Sequence, residues 1–462
     1  MKKYKNIIIY GAGASGVLIK QLYNKENNDN VFAFIDDNIK LENRILVGVK
    51  IIHSSHFDAD FIRENSIDAI LMSNIYIHIK KSSEISKFGL PVLLPKDVDT
   101  WQKGYISNLD ITEIDSSFLI NRTISNNINP KKLKKLYNKK ILITGASGSI
   151  GSEIVRQLNP ISNLSLVLID IDESGLHDLF NSLKNKSNCT FYICDVSNKA
   201  ELERVISKNK DINKVFHAAA YKHVPIVEVD PYPAIRVNIQ GTLNLCELLK
   251  KYSINDFTLV STDKAVNPTN IMGATKRCAE IITTYYNSSS SFRCTRFGNV
   301  IGSRGSVIPI FIDQIKRGGP ITLTHHEITR YFMTIPEASQ LVIKSSILEN
   351  DSGIFLFDMG EQIKLIEIIE NLKLYYDAKD VEIKYIGLRD GEKMYEELSR
   401  SNEKLISTSD KKIYKILSKK PSESILNNIR KFLNNFETFD IDELKIKLKN
   451  IIPEYDYENK SH

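Results

Sequence analysis

The chain has 462 residues and carries 62 Lys and Arg against 56 Asp and Glu, a net charge of +6. That length exceeds one ordinary core and implies two or three domains. Its 42% hydrophobic and 26% charged residues exclude a disordered or fibrous chain, and with no run of about eighteen apolar residues no transmembrane helix is expected.

The charge is spread along the chain apart from a lysine cluster at residues 131–140. Such a cluster reads as a solvated helix face, with attraction to anionic lipid or a phosphorylated substrate as the sharper alternative. No nucleic-acid partner is expected. The cysteines, Cys189, Cys194, Cys246, Cys278 and Cys294, form no CxxC pair. They fit free thiols in a reducing cytoplasm, and no metal site is expected.

The opening, MKKYKNIIIYGAGASG, imitates a signal peptide only briefly. Its apolar run covers residues 7–10 before glycines begin, so it reads as a first β-strand. Glycines then precede a helical apolar period, and further strands are predicted at residues 31–38, 67–74 and 89–95. This first unit ends near residue 98. Residues 99–138 read as a polar connector closing on a short helix after Pro130.

A second strand-glycine-helix opening, KILITGASGSIGSEIVRQL, spans residues 140–158. Strand candidates recur at 164–170, 190–195, 214–219, 257–262 and 292–299, with helical spacings between them. After Asn299 the pattern loosens into loops and helices, as in a substrate-binding lobe. The expectation is an α/β fold of two tandem Rossmann-like, doubly wound parallel-sheet domains. They cover residues 1–98 and 139–420, the second with a smaller C-terminal substrate lobe. Residues 421–462 read as a helical tail with a frayed polar end.

In TGASGSIGSE, Gly145, Gly148 and Gly151 lie between a strand and a helix. Glycine lets the backbone turn tightly against a pyrophosphate seated on the helix N-terminus. Asp170 ends the next strand, where a carboxylate accepts from a ribose diol and repels a 2′-phosphate, favouring NAD over NADP. Asp195 and Val196 end the third strand, beside an adenine edge. Either aspartate also suits a helix cap. In STDKAVNPTNIMGATKR, a strand ends at the carboxyl edge of the sheet and Thr262, Asp263 and Lys264 follow. A carboxyl group beside an amine suits paired acid and base work, and an exposed loop ion pair is the plain alternative.

This stretch resembles the active-site segment of nucleotide-sugar 4,6-dehydratases, in particular those acting on UDP-N-acetylglucosamine, in the polysaccharide-biosynthesis branch of the extended short-chain dehydrogenase/reductase superfamily. The resemblance covers roughly residues 139–400. It takes in FHAAAYKHVPIVE, RFGNVIGSRGSVIPIF, TRYFMTIPEA and GLRDGEKMYEEL, in that order. It implies an NAD site on Gly145, Ser147, Gly148, Ser149, Ile150, Gly151, Asp170, Asp195, Val196, Ala218, Ala219 and Lys276. It implies a UDP-sugar substrate held by Lys222, Asn299, Arg304, Arg330, Arg389 and Lys393, with Thr262, Asp263, Lys264 and Lys276 as catalytic groups.

There are two departures. The superfamily places a tyrosine four residues before the active-site lysine, where this chain has Met272, as do long dehydratases of this branch. The common RPGEK reads RDGEK here, with Asp390 loosening the turn. The Thr-Asp-Lys trio replaces the Thr-Asp-Glu of dTDP-glucose dehydratases. The implied reaction oxidises carbon 4 of the sugar, eliminates water across carbons 5 and 6 and returns the hydride to carbon 6. It needs a lowered Lys264 pKa and a raised Asp263 pKa. Burial pushes both that way, and direct ion pairing opposes it. The alternatives are a UDP-sugar 4-epimerase on the same scaffold and a non-catalytic nucleotide or redox sensor.

The N-terminal unit resembles small nucleotide-binding modules, with Gly11, Gly13 and Gly16 cradling a phosphate. Packing or oligomerisation is the competing use. In membrane-bound relatives this unit follows transmembrane helices, so a cytoplasmic homo-oligomer is expected here.

Overall fold

The computed structural model describes Tyr4 and residues 6–13, 16–17, 19–20, 30–73, 81, 85–93 and 133–458, the last range without 288–290, 349–351, 377 and 379. Most of the expected connector lies outside the described residues. Its lysine-rich end forms a single 3₁₀ turn, Lys134–Leu136. The chain divides into two compact units. One takes Met1–Asn121, Ile312–Ile321 and Glu367–Glu382; the other takes Arg122–Phe311, Thr322–Ile366 and Ile383–His462.

In the first unit the strands are β1 (Asn6–Tyr10), β2 (Asn30–Asp36), β3 (Ile45–Leu46), β4 (Val49–His53), β5 (Ala69–Met72) and β6 (Val92–Leu93). They lie in the order β3-β4-β2-β1-β5-β6, and only the β3–β4 pairing is antiparallel. Ile7 and Ile9 enter one apolar cluster, Ile8 and Tyr10 another. A central parallel strand is covered on both faces, which is why its sequence is an unbroken apolar run.

In the second unit seven strands run parallel: β7 (Lys140–Thr144), β8 (Ser165–Asp170), β9 (Cys189–Ile193), β10 (Lys214–His217), β11 (Asp256–Val260), β12 (Ser291–Arg296) and β13 (Gly353–Phe357). An antiparallel pair, β14 (Lys404–Ser407) and β15 (Ile413–Leu417), extends one edge. The order is β14-β15-β13-β12-β11-β10-β7-β8-β9. Chain direction across the sheet reverses between β7 and β10, and the crevice at such a switch point is where α/β proteins hold ligands. Leu142 packs on one face of the sheet, Ile141 and Ile143 on the other.

Both units build the same turn after their first strand. Gly145 has φ 64° and Gly11 φ 100°, conformations open to glycine. A Cβ on Gly151 would lie 2.0 Å from Gly145 O, and one on Gly16 2.1 Å from Gly11 O. An aspartate at the tip of the second strand then accepts from the turn: Ser147 N donates to Asp170 at 2.9 Å, Ala12 N to Asp36 at 2.8 Å.

The frayed tail is not found as far as residue 458. Helices α1 (Ser149–Leu158), α2 (Thr242–Lys251) and α3 (Ile271–Tyr285) precede α4 (Glu423–Asn435) and α5 (Ile441–Ile451), and the last two bury Leu426, Ile429, Phe432, Leu444 and Leu448 in the core cluster of the parallel sheet. Tyr455 is fully buried. The spacing of apolar residues in this segment is thus a packed face, not a solvated one. Leu448→Ala should cost about 2–5 kcal/mol in denaturant unfolding; a change within about 0.5 kcal/mol, as at surface sites, would show that α5 does not pack as described.

Candidate active site

β11 ends at Val260, and the chain turns into a 3₁₀ segment, Asp263–Ala265, capped by Thr262. Asp263 is fully buried, and the Lys264 side chain is 20% exposed. Lys264 Nζ lies 3.1 Å from Asp263 Oδ1, 3.1 Å from Asn299 Oδ1 and 3.3 Å from Glu396 Oε1. Thr262 Oγ1 donates to Asp263 Oδ1 at 2.8 Å. Asp263 Oδ2 and Glu396 Oε2 are buried and have no hydrogen-bond partner among the described residues.

The electrostatics correct the expectation for Lys264. Burial works against its ammonium, but Asp263 and Glu396 overcome that and hold its pKa above the ordinary lysine value. Burial also pushes the Asp263 carboxyl up; Lys264 pulls it down and Glu396 pushes it up again, for a net rise. The paired lysine therefore starts protonated, with two carboxylates facing one ammonium. Glu396 was missed from sequence because nothing in YEEL separates it from its neighbour. In the structure Glu396 is buried and Glu397 exposed.

Helix α3 (Ile271–Tyr285) follows, and its N-cap Asn270 accepts from Gly273 N. Met272 is buried in the core cluster, where a thioether packs and carries no proton. Lys276, also buried, donates to Val260 O at 2.7 Å, and burial pulls its pKa down to about 8. One turn later Glu280 accepts from Ser261 Oγ at 2.8 Å.

Glu280 belongs to a closed ring of six alternating charges. Arg296 grips it through two bonds of 2.7 and 2.8 Å and reaches Glu403 at 2.9 Å. Arg400 joins Glu403 at 3.2 Å to Glu454 at 3.0 Å. Arg277 joins Glu454 at 2.8 Å back to Glu280 at 3.1 Å. Just outside the ring, Asp456 N donates to Pro268 O at 2.8 Å. The end of the described chain therefore braces the loop that carries Lys264.

At the glycine turn, Gly148 caps helix α1 (Ser149–Leu158) without a side chain. Asp170 accepts from Ser147 N and Oγ, and Asp195 from Ser197 N and Oγ. The helix caps beyond them are Asp172 and Asn198, which resolves the capping alternative for both strand-tip aspartates. Val196 is buried under Gly241, and Ala218 and Ala219 pass so close to Gly145 that a Cβ there would lie 2.5 Å from Ala219 N. Ile150 lies in the first turn of α1.

Two further polar groups were not singled out from sequence. His217 ends β10 fully buried; its Nδ1 lies 2.6 Å from Thr144 Oγ1 and its Nε2 3.2 Å from Thr242 Oγ1. Thr242 gives its own proton to Asn238 O, so His217 Nε2 is the donor in that contact. Asn238, in a π-helical stretch, Ile235–Gly241, bonds both backbone groups of Tyr221 and the Thr275 hydroxyl. Such π-helical turns are frequent at functional sites.

The candidate substrate contacts fall into separate groups. Asn299 touches Lys264 directly. Arg330 is buried, 3.1 Å from Glu392 and 3.9 Å from Glu396. Lys222 donates to Ser303 Oγ at 3.2 Å. Lys393 donates to Val266 O at 2.9 Å, and Thr269 and Asn270 both donate to Gly391 O, which pins the RDGEK turn to the loop after Lys264. Arg389 is exposed. Arg304 is exposed too and leans on Asp172 at 3.3 Å, while its N–H donates to Ser149 Oγ, so it sits at the glycine turn.

Comparison with known proteins places the chain among relatives of one family. The family described as polysaccharide biosynthesis protein matches residues 141–418, and the PglD N-terminal domain matches residues 6–71. The capsular polysaccharide biosynthesis protein CapD of Staphylococcus aureus is 37% identical over 86% of this chain and 69% of that protein. The probable polysaccharide biosynthesis protein EpsC of Bacillus subtilis is 37% identical over 86% of this chain and 68% of that protein. Among solved structures, Pen from Bacillus thuringiensis superimposes with a TM-score of 0.56 at 32% identity, over 60% of this chain and 89% of that one. No helix of the described residues is long and apolar enough to cross a membrane.

Burial pulls the His217 pKa from 6.5 down to about 3, with Lys276 adding to the fall. An imidazole depressed on folding contributes stability that is full above pH 6.5. That stability is lost as pH falls towards 3, because the unfolded chain binds the proton first. The slope is about 1.4 kcal/mol per pH unit. Urea unfolding of His217→Gln should therefore show a shallower loss of stability between pH 6.5 and 5 than the parent chain. Equal slopes would mean that His217 is not buried neutral.

Proposed function

Since the chain belongs to the polysaccharide biosynthesis protein family of the extended short-chain dehydrogenase/reductase superfamily, we propose that it is an NAD-dependent 4,6-dehydratase acting on UDP-N-acetylglucosamine. The observation that carries this reading is the buried Asp263–Lys264 pair, 3.1 Å apart, at the carboxyl edge of β11. An epimerase needs no acid and base for elimination, and a sensor needs neither.

The turn at Gly145, Gly148 and Gly151 fits a dinucleotide. It leaves the N-terminus of α1 without a side-chain cap, and Asp170 stands at the strand tip beside it. Ser147, Ser149 and Ile150 line this turn, with Asp170 towards the ribose, Asp195 and Val196 towards the adenine, and Ala218 and Ala219 beneath. When bound, NAD supplies the redox chemistry, accepting hydride from carbon 4 and giving it back at carbon 6. Arg304, at the same turn, serves a phosphate through the guanidinium fork.

The chain's own groups do the rest. Thr262 holds the carbon 4 hydroxyl. Lys276, with its pKa near 8, relays that proton away at neutral pH. Once carbon 4 is a ketone, the proton on carbon 5 is acidic. Proton transfer from Lys264 to Asp263 leaves an amine and a carboxylic acid with no change in net charge. The amine takes the carbon 5 proton. Asp263 gives its proton to the carbon 6 hydroxyl, which leaves as water; once hydride has returned to carbon 6, the Lys264 ammonium gives a proton back to carbon 5, and the proton released from the carbon 4 hydroxyl restores the pair to ammonium and carboxylate. Met272 takes no part, since sulfur in a thioether has no proton to exchange. Asn299 orients Lys264 and the sugar, while Lys222, Arg330, Arg389 and Lys393 neutralise the diphosphate. The free thiols, four of them buried, support a reducing, cytoplasmic setting.

Purified protein incubated with UDP-N-acetylglucosamine should give a product lighter by one water in mass spectrometry. Lys264→Ala and Asp263→Asn should each lower turnover about 10²–10⁴-fold with NAD still bound. Unchanged mass with altered sugar stereochemistry would replace this reading with epimerisation, and full activity in both variants would refute the site.

A further inference from the structure

The reaction above uses Asp263 and Lys264 as a pair that shares one proton, yet the structure gives Lys264 a second carboxylate. Glu396 comes from the far side of the site, 132 positions later in the chain (396 − 264). Its Oε1 lies 3.3 Å from Lys264 Nζ, its side chain is 4% exposed, and its Oε2 is buried without a hydrogen-bond partner among the described residues. Charges face it from every side. Lys264 and Asp263 stand on the catalytic segment, Arg330 at 3.9 Å on a short strand, and Lys393 three positions earlier on its own non-helical segment. Lys222 and Lys264 are close enough for the Lys264 charge to help lower the Lys222 pKa, after burial. Glu392 also pairs with Arg330, at 3.1 Å.

Arg330 has Glu392 for neutralisation, so Glu396 is not needed merely to balance it. Taking a buried carboxylate out of water is costly unless it is paired and hydrogen-bonded. Glu396 makes one close contact, to the amine that must change protonation state in the cycle. We propose that Glu396 is a positioning residue that aims Lys264 Nζ between Asp263 and Asn299 and keeps the shared proton within the Asp263–Lys264 pair. This rests on the reaction assigned above and adds to it. The anion opposes loss of the proton to solvent, yet leaves its passage from Lys264 to Asp263 open, since that passage changes no net charge. Without Glu396 the pair would deprotonate at lower pH, and the site would hold an amine with no acid to complete the elimination.

The direct test needs no turnover. The pH dependence of Lys264 acetylation by acetic anhydride, read by peptide mass spectrometry on the full chain, reports where its amine becomes free. In Glu396→Gln the midpoint should fall by at least one pH unit, and the alkaline limb of the water-loss profile should fall with it. Glu392→Gln should leave the labelling midpoint in place. If Glu396→Gln does not fold, Glu396→Asp carries the test, because the shorter side chain draws the charge away and the midpoint must still fall. A midpoint unmoved in the folded variants, or moved equally by Glu392→Gln, overturns the role of Glu396. Absence of water loss in the parent chain, with the labelling shift intact, overturns the reaction instead.

Discussion

The ring of Glu280, Arg296, Glu403, Arg400, Glu454 and Arg277 is the constraint on which the geometry of the candidate site depends. Arg296 and Glu280 are fully buried, where solvent does not screen their charges and an unpaired member would be left uncompensated. Replacing such a pair with apolar residues is often harmless to stability, so its value lies in position. Each guanidinium admits its carboxylates only in the plane of its fork. The ring therefore fixes β12, α3 and two remote stretches of the C-terminal region in one arrangement. Ser261, hydrogen-bonded to Glu280, transmits that arrangement to Thr262, Asp263 and Lys264.

Around this frame the site concentrates charge where water is scarce. Two carboxylates, Asp263 and Glu396, face two cations, Lys264 and Arg330, within one buried cluster. Such a cluster can move a proton internally at little electrostatic cost, whereas exchange with solvent changes the net charge of a low-dielectric region. Lys276 is a contrast. Burial lowers its affinity for a proton and Glu280 only partly restores it, so two lysines on adjacent elements hold their protons with different strengths. One fold thus holds two neighbouring amines with pKa values shifted in opposite directions.

Much of this was legible in the sequence because it is local. The runs KILIT and NIIIY, the glycines that follow each and the aspartates that end the next strands are short-range patterns with one physical meaning. The Thr-Asp-Lys trio is contiguous, and the family resemblance rested on it. What could not be read was pairing across distance. Glu396 meets Lys264, and Glu454 meets Arg277, from parts of the chain whose local patterns look like ordinary surface helix and loop. The two antiparallel edge strands, Lys404–Ser407 and Ile413–Leu417, were hidden for the same reason. The rise of the Lys264 pKa followed from Asp263 first and from the unseen Glu396 second. Arg304, read as a substrate contact, lies at the glycine turn because residues 303–305 fold back over α1, a path that no spacing rule encodes.

The position of Glu454 and Asp456 has a consequence for biosynthesis. Translation delivers the glycine turn and the first six parallel strands early, and domains fold from the N-terminal side as they emerge. The brace beneath the Pro268 loop closes only when the ribosome has released residues more than 180 positions downstream of it (456 − 268 = 188). A nascent chain can thus form its glycine turn and parallel strands before the loop that follows Asp263 and Lys264 is braced.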